Sequence, residues 1–427
     1  MDNVLAIILA GGGGERVNVL AQERAKPAIP FAAKYRVIDF TLSNCMNSGI
    51  HKVAIVTQYQ PLSLIDHIGI GTPWGLDRPD CVMRVLQAHL TRNGRGWYKG
   101  TADAVYQNLP YIQRQDAELV LILGGDHVYR MDYSDMLKLH QQAGAEVTLA
   151  VTPSPGGAIE QFGTVMVDES GAVTGFQEKV KRPKSNLAFM GVYVFNRDVL
   201  QHWLEEDARN VISKHDLSGN VIPRMVGKSR IFAYRFDGYW RDVGTIQTYW
   251  QTNMDLFDVL PSLLFSDDWP LHTKEEERPP AIVSETAKVI NSLVSNGCII
   301  EGHVEHSVLS PGVKVAEGAI VKDSIIFSDS IIGPHAVVDY SILDKEVVIG
   351  DGCHIGYGDD FQVNREEPKV LNTGISIVGK RARIPAGVKI GRNCAIHCGA
   401  GESNFLTSEI QSGETIWVKR RGRSRKV

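Results

Sequence analysis

Aliphatic residues return at every sixth position in the C-terminal third of this chain, at Ile325, Ile331, Val337, Leu343, Ile349 and Ile355, and again at Val378, Ile384, Ile390 and Ile396. Few folds can use such a period. Neither the helical repeat of about 3.6 residues nor the two-residue alternation of a strand produces it, whereas a triangular parallel β-helix stacks one residue from each flat side into an internal column. A β-rich sandwich would have to give six consecutive hits by accident. Tyr357 to Thr373 interrupts the register and is expected to loop out between coils. Hexapeptide helices often belong to acyltransferases, and this one carries His303, His306, His335, His354 and His397. None has an obvious acidic partner or nucleophile in the sequence, so they read as rung and surface residues and the helix as a scaffold for oligomer contacts.

Upstream the pattern changes. Strand-like runs at Val4 to Leu9, Lys52 to Thr57, Leu119 to Leu123, Val147 to Val151 and Gly191 to Phe195 alternate with helical stretches such as Tyr133 to Ala143, which indicates an open α/β sheet. From about Pro261 to Pro280 a polar, proline-bearing stretch, DDWPLHTKEEERPP, separates the two patterns. The division expected is therefore a catalytic α/β domain over 1–258, a linker over 259–290 and a β-helix over 291–427. That last part ends in a basic tail of Lys419, Arg420, Arg421, Arg423, Arg425 and Lys426, read as solvated.

The first strand runs into Gly11, Gly12, Gly13 and Gly14, where backbone N–H groups can curl around an anion without Cβ clashes, and Arg16 adds a fixed positive charge. The loop alone also suits a dinucleotide site or a plain tight turn. Lys26 precedes Pro27, which biases its backbone toward an extended conformation and makes a phosphate-reading lysine plausible. Two carboxylates follow sheet-like runs: Asp126 in GGDHVY and Asp242 in YWRDVGT. A magnesium nucleotide needs hard oxygen ligands, and one or two carboxylates plus phosphates are the usual set. Either acid alone also fits a turn or cap. Glu178 and Lys179 in FQEKV could grip a sugar and a phosphate, or form a solvated pair. The segment WYKGTADAVYQN, Trp97 to Asn108, could pack a ring or a sugar, or be a helix entry capped by Thr101.

A net charge of −4 and a pI near 6.4 give no global attraction to nucleic acid or an anionic membrane. The six cysteines show no paired or zinc-like spacing and read as reduced core thiols. The N-terminal apolar run breaks into glycines too early for a signal peptide or a membrane span. A soluble, cytoplasmic protein without nucleic-acid or membrane partners is expected.

RAKPAIPF, YRVIDF, LSNCMNSG, VTQYQ, WYKGTADAVYQN, GDHVY, MGVYVF, YWRDVGT and NSLVSNGCII occur in this order along nearly the whole chain. On these segments it resembles the bacterial glucose-1-phosphate adenylyltransferases (ADP-glucose pyrophosphorylases). The resemblance implies a Rossmann-like, GT-A-like nucleotidyltransferase domain followed by a left-handed parallel β-helix. It also implies adenylyl transfer from ATP to α-D-glucose 1-phosphate with Mg²⁺, the committed step toward glycogen. A homotetramer under allosteric control is implied too, alone or mixed with a paralogous subunit. Residue by residue, it assigns catalysis to Arg16, Lys26 and Asp126, metal binding to Asp126 and Asp242, and substrate binding to Gly11, Gly12, Gly14, Tyr98, Gly100, Thr101, Glu178, Lys179 and Asp216. Gln58 and Trp97 match loop positions that signal activator binding.

The chain departs from the family at several points. Glu15 lies in the glycine loop, Val180 follows Lys179, Phe189 replaces a small sugar-contacting residue, HDLSGN replaces HDFGKD, and Glu23 replaces a basic residue of members activated by fructose 1,6-bisphosphate. Glu15 is expected to weaken ATP binding unless it points away. These departures leave two alternatives, a non-catalytic regulatory paralogue in a mixed oligomer, or a transferase for a different sugar 1-phosphate.

Overall fold

Val4–Leu9 is buried along almost its whole length because it has a strand on each side: Ile7 pairs in parallel with Ala54 and with Ile122. Such a strand has both faces covered and so reads as an unbroken apolar run. The computed structural model describes residues 3–78, 81–88, 96–154, 159–258 and 261–418; the basic tail expected at Lys419 to Lys426 lies outside them. The chain folds as two compact units. The first is Met1–Gly12, Val37–Asp242 and Ser266–Thr273; the second is Gly13–Arg36, Val243–Phe265 and Lys274–Val427. This differs from a simple split at residue 258, since Gly13–Arg36 and Val243–Phe265 group with the C-terminal part.

In the first unit, Val82–Gln87, Lys52–Thr57, Val4–Leu9 and Leu119–Gly124 lie side by side in parallel. Leu187–Asn196 joins antiparallel to Leu119–Gly124, so the sheet is mixed, with nine strands among the described residues. A separate antiparallel ladder pairs His127–Tyr129 with Trp240–Asp242. The core gathers Leu5, Ile7, Val120 and Ile122 from the sheet with Val105, Ile112, Leu200 and Leu204 from helices. Each such side chain, once fully buried, contributes about 1.5–3 kcal/mol. The Tyr133–Gln142 helix falls where the sequence placed it: the Asp132 carboxylate accepts from Ser134 N–H at 2.8 Å at its start.

The second unit contains three parallel sheets in which strands of two or three residues pair with the next coil. Lys314 pairs with Ile331 and Ile331 with Val348, so one coil takes 17 residues, two steps of six and one of five. The strict six-residue count therefore slips a face. Ile331 and Val337 are not part of the internal column: Ile331 is 39% exposed, and its neighbour Ile332 points inward, in line with Ile326, Val338, Leu343, Ile349 and Ile355. Val378, Ile384, Ile390 and Ile396 keep the step of six and face inward. Tyr357 to Thr373 carries no strand, as expected of a loop. Part of the span read as linker is regular: Pro261–Leu264 is helical, and Ile282–Val283 and Lys288–Ile290 already pair with Ile299–Ile300 and His303–Glu305. Two of the histidines do find acids, His306 at 2.6 Å from Asp323 and His303 at 3.3 Å from Glu305. His303 and Glu305 share one strand, two residues apart on the same face, whereas His306 and Asp323 lie one 17-residue coil apart, which linear spacing hides.

Within the same unit, Gly13–Arg36 is tied to the β-helix coils. Arg24 makes a bidentate pair with Asp344 at 2.9 and 2.8 Å, with 4% and 1% side-chain exposure, and also donates to Leu20 O. Gln22 meets His397 Nδ1 at 3.0 Å, and Glu23 takes Arg381 at 2.6 and 2.9 Å. The Ile246–Asp258 helix adds Trp250, whose Nε1 donates to Asp323 O at 2.8 Å and whose ring meets Tyr340 edge-on.

Candidate active site

The four parallel strands all end on one side, where Gly11 and Gly12 follow Leu9, Gln58 and Tyr59 follow Thr57, and Asp126 follows Gly124 by two residues. Open α/β sheets offer ligands a crevice at this place. A cleft of about 450 Å³ opens there, lined by these residues together with Tyr98, Lys99, Gly100, Thr101, Gly191, Tyr193 and Asp216. Gly11, Gly12, Gln58, Tyr98, Gly100, Thr101, Asp126 and Asp216, each singled out from the sequence, are thus brought together.

The wall formed by Tyr98 to Thr101 is held by three sets of bonds. Gln58 clamps the Tyr98 peptide: its Oε1 accepts from Tyr98 N–H at 2.5 Å and its Nε2 faces Tyr98 O at 3.5 Å. Gly100 passes so close to the next wall that a Cβ there would press into His215 O and lie 2.6 Å from Lys214 O. The Thr101–Gln107 helix begins here, but Thr101 does not cap it. Its hydroxyl donates to Asp216 Oδ2 at 3.0 Å and accepts from Leu217 N–H at 2.8 Å, while His215 O takes two of the free N–H groups of the helix's first turn, those of Ala102 at 2.8 Å and Asp103 at 3.3 Å. His215 is held for this at φ +55 by Asp207, 2.8 Å from its Nδ1. Burial pushes the Tyr98 phenol up, opposed by Asn108, which donates to its hydroxyl at 3.1 Å.

Asp216 accepts from Gly219 N–H at 2.7 Å and Ser218 O–H at 2.9 Å, and its own N–H reaches Asn220 Oδ1 at 3.2 Å. Asn220, which stands in place of the family's acid, therefore braces the turn. Glu178 and Lys179 stand outside the cleft lining. Burial raises the Glu178 carboxyl above the ordinary carboxylate range, Lys179 at 3.5 Å opposes the shift, and Asp216 adds to it. Trp97 flanks the mouth: its exposed ring stacks on that of Tyr59 at 4.9 Å. Phe189 is not a pocket wall. It is 6% exposed and packs edge-on between Phe176 and Tyr193, so it reaches the cleft only through Tyr193.

Across the Trp240–Asp242 ladder, Asp242 pairs with His127, the residue after Asp126. Both carboxylates therefore stand at one end of the same short ladder. His127 carries no mark in the sequence, yet its Nε2 lies 3.5 Å from Asp126 Oδ1 and its ring meets Trp240 edge-on. Only the pairing, invisible along the chain, singles it out. The two acids form a hard oxygen set suited to a divalent cation. Among the described residues no group of three His, Cys, Asp or Glu could hold a metal unaided, so phosphate oxygens would complete the shell.

Gly14, Arg16 and Lys26 belong to the second unit. Gly14 takes φ +69, and a Cβ there would lie 2.6 Å from that of Ala21, so the position requires glycine. Arg16 and Glu15 are exposed. Lys26 is not extended as Pro27 suggested. It opens a single 3₁₀ turn, Lys26–Ala28, closed by Ile29 N–H to Lys26 O at 3.0 Å, and Ala25 is the extended residue.

A family model for nucleotidyl transferases matches residues 5–259, and one for the GlmU-like C-terminal hexapeptide matches 279–378. The glucose-1-phosphate adenylyltransferase of Thermomicrobium roseum is 52% identical over 97% of this chain and 98% of its own length. Those of Acetivibrio thermocellus and Fervidobacterium nodosum are 43% and 44% identical over 97% and 93% of this chain, and over 97% and 95% of their own lengths. The hexapeptide match identifies the β-helix as the left-handed type.

Proposed function

This chain belongs to the nucleotidyl transferases, within their glucose-1-phosphate adenylyltransferase family, and from that premise we propose that it transfers the adenylyl group of ATP to α-D-glucose 1-phosphate. The products are ADP-glucose and pyrophosphate, at the entry to glycogen synthesis. The observation that carries this reading is the cleft at the strand ends, with backbone glycines and Asp126 on one side and Asp216 and Thr101 on the other.

Attack of the sugar phosphate oxygen on the α-phosphorus, in line with the departing pyrophosphate, needs no protein nucleophile; positioning and charge neutralisation do most of the work. The backbone N–H groups of Gly11, Gly12 and Gly14 receive phosphate oxygens, and Arg16 and Lys26 neutralise the pyrophosphate. Asp216 and Glu178 accept sugar hydroxyls while Lys179 holds the sugar's phosphate. Mg²⁺, bound by Asp126 and Asp242, would supply positive charge for the polyphosphate. Gln58 and Trp97 relay activator binding, which the Gln58 clamp on Tyr98 and the Trp97 stack on Tyr59 support. The catalytic work falls within residues 1–258. Assembly as a homotetramer in the cytoplasm, alone or with a paralogous subunit, completes the reading, and six free thiols suit a reducing compartment.

Product identification by mass spectrometry tests the assignment, with ATP, dTTP, UTP and GTP in competition and glucose 1-phosphate as acceptor. ADP-glucose as the dominant product is the expected outcome. A different nucleotide sugar, or acceptance of another sugar 1-phosphate in preference to glucose, would overturn it.

A further inference from the structure

Beside the cleft, one hydroxyl, that of Ser218, stands near two carboxylates, Asp216 and Glu178. Ser218 has a single proton and spends it on Asp216 Oδ1 at 2.9 Å, since a carboxylate can only accept. Asp216 is then fixed by three donors, Ser218 O–H, Gly219 N–H and Thr101 O–H. The lone pairs of Ser218 Oγ stay available, and around them stand the Tyr193 hydroxyl and the Glu178 carboxylate. Glu178 Oε2 is buried and has no hydrogen-bond partner among the described residues. An unfilled buried acceptor costs about 1–3 kcal/mol, so a donor from a ligand gains more here than it would on the surface. The neighbours leave Oε2 unfilled: Ser218 has used its proton on Asp216, Lys179 Nζ stands 3.5 Å from the other oxygen, Oε1, and Tyr193 has one proton to give to two acceptors.

We propose that Ser218 is a specificity-determining residue of the sugar side: by tying down Asp216 and leaving its own oxygen beside Glu178, it fixes an acceptor group that selects substrates carrying a hydroxyl at one ring position. Ser218 lies in the helical turn Leu217–Val221, behind Asp216 and Tyr193, which line the cleft, so it acts through the placing of these groups as well as through its own lone pairs.

The inference rests on glucose 1-phosphate being the acceptor, and its test separates the two claims. Initial rates would be measured for the wild-type protein, Ser218→Ala and Ser218→Gly with glucose 1-phosphate and each of its monodeoxy analogues. The wild-type enzyme should prefer glucose 1-phosphate over one analogue in kcat/KM, and both variants should lose about tenfold of that preference while KM for ATP stays unchanged. A merely structural serine would lower all rates together and leave every ratio intact, which would overturn the proposal with the adenylyltransferase reading still standing. A wild-type protein inactive with glucose 1-phosphate would overturn both.

Discussion

At Gly100 a single missing side chain decides whether two walls of the cleft can meet. A Cβ there would press on His215 O and on Lys214 O, the latter at 2.6 Å, and both are backbone atoms that cannot rotate away. Gly100→Ala should therefore push the Tyr98 to Thr101 wall outward and break the Thr101 bond to Asp216. A loss of about 1–3 kcal/mol in stability is expected by urea unfolding, with a rise in KM for the sugar phosphate. An unchanged KM would mean that the wall does not shape the sugar side. The sequence marked Gly100, Thr101 and Asp216 as candidates, but not their bonds. Thr101 looked like a helix cap because the helix start was visible and its partner 115 residues away was not. Phe189 looked like a pocket residue because its burial in an aromatic row follows from strand alternation and a bulge near Gly191.

At the scale of elements, the long apolar strands were legible because parallel strands covered on both faces cannot hide their composition. The β-helix was legible through its period, yet the column slipped a face because one step in each 17-residue coil is five and not six. The two-stranded ladder that unites Asp126 with Asp242 left no trace, being three residues long on each side. The same β-helix supplies a pH signature. Lys345 is lowered from its ordinary 10.5 to about 8, first by burial and then by Arg36 and Arg24. Below pH 8 folded and unfolded chains both carry the charge, and the folded state bears the cost; above 10.5 both are neutral and the cost is gone. Stability from this residue should thus rise between about pH 8 and 10.5. Lys345→Met should be more stable than the wild-type protein at pH 7 by on the order of 2 kcal/mol, with the gap closing toward about pH 10.5 in thermal unfolding. A gap that does not change with pH would contradict this.

For the whole molecule, the chain's order and its architecture part company inside the glycine loop: Gly12 closes one segment of the first unit and Gly13 opens a segment of the second. No local signal announces this. Among the bonds that hold Gly13–Arg36 on the β-helix, the most deeply buried is that of Arg24 with Asp344, 320 residues away. Removing one partner leaves a buried charge, so Asp344→Ala should cost about 3–5 kcal/mol by urea unfolding, and joint replacement by Arg24→Met and Asp344→Leu should recover most of it. A double variant as unstable as the single one would show that packing, and not charge, is lost.

The most direct test of the account is pyrophosphate release from ATP and glucose 1-phosphate in the presence of Mg²⁺, measured for the wild-type protein and for Asp126→Ala. Release by the wild-type protein, reduced about a hundredfold or more by the substitution, is the predicted result. Silence from the wild-type protein, or release undiminished in Asp126→Ala, would contradict it.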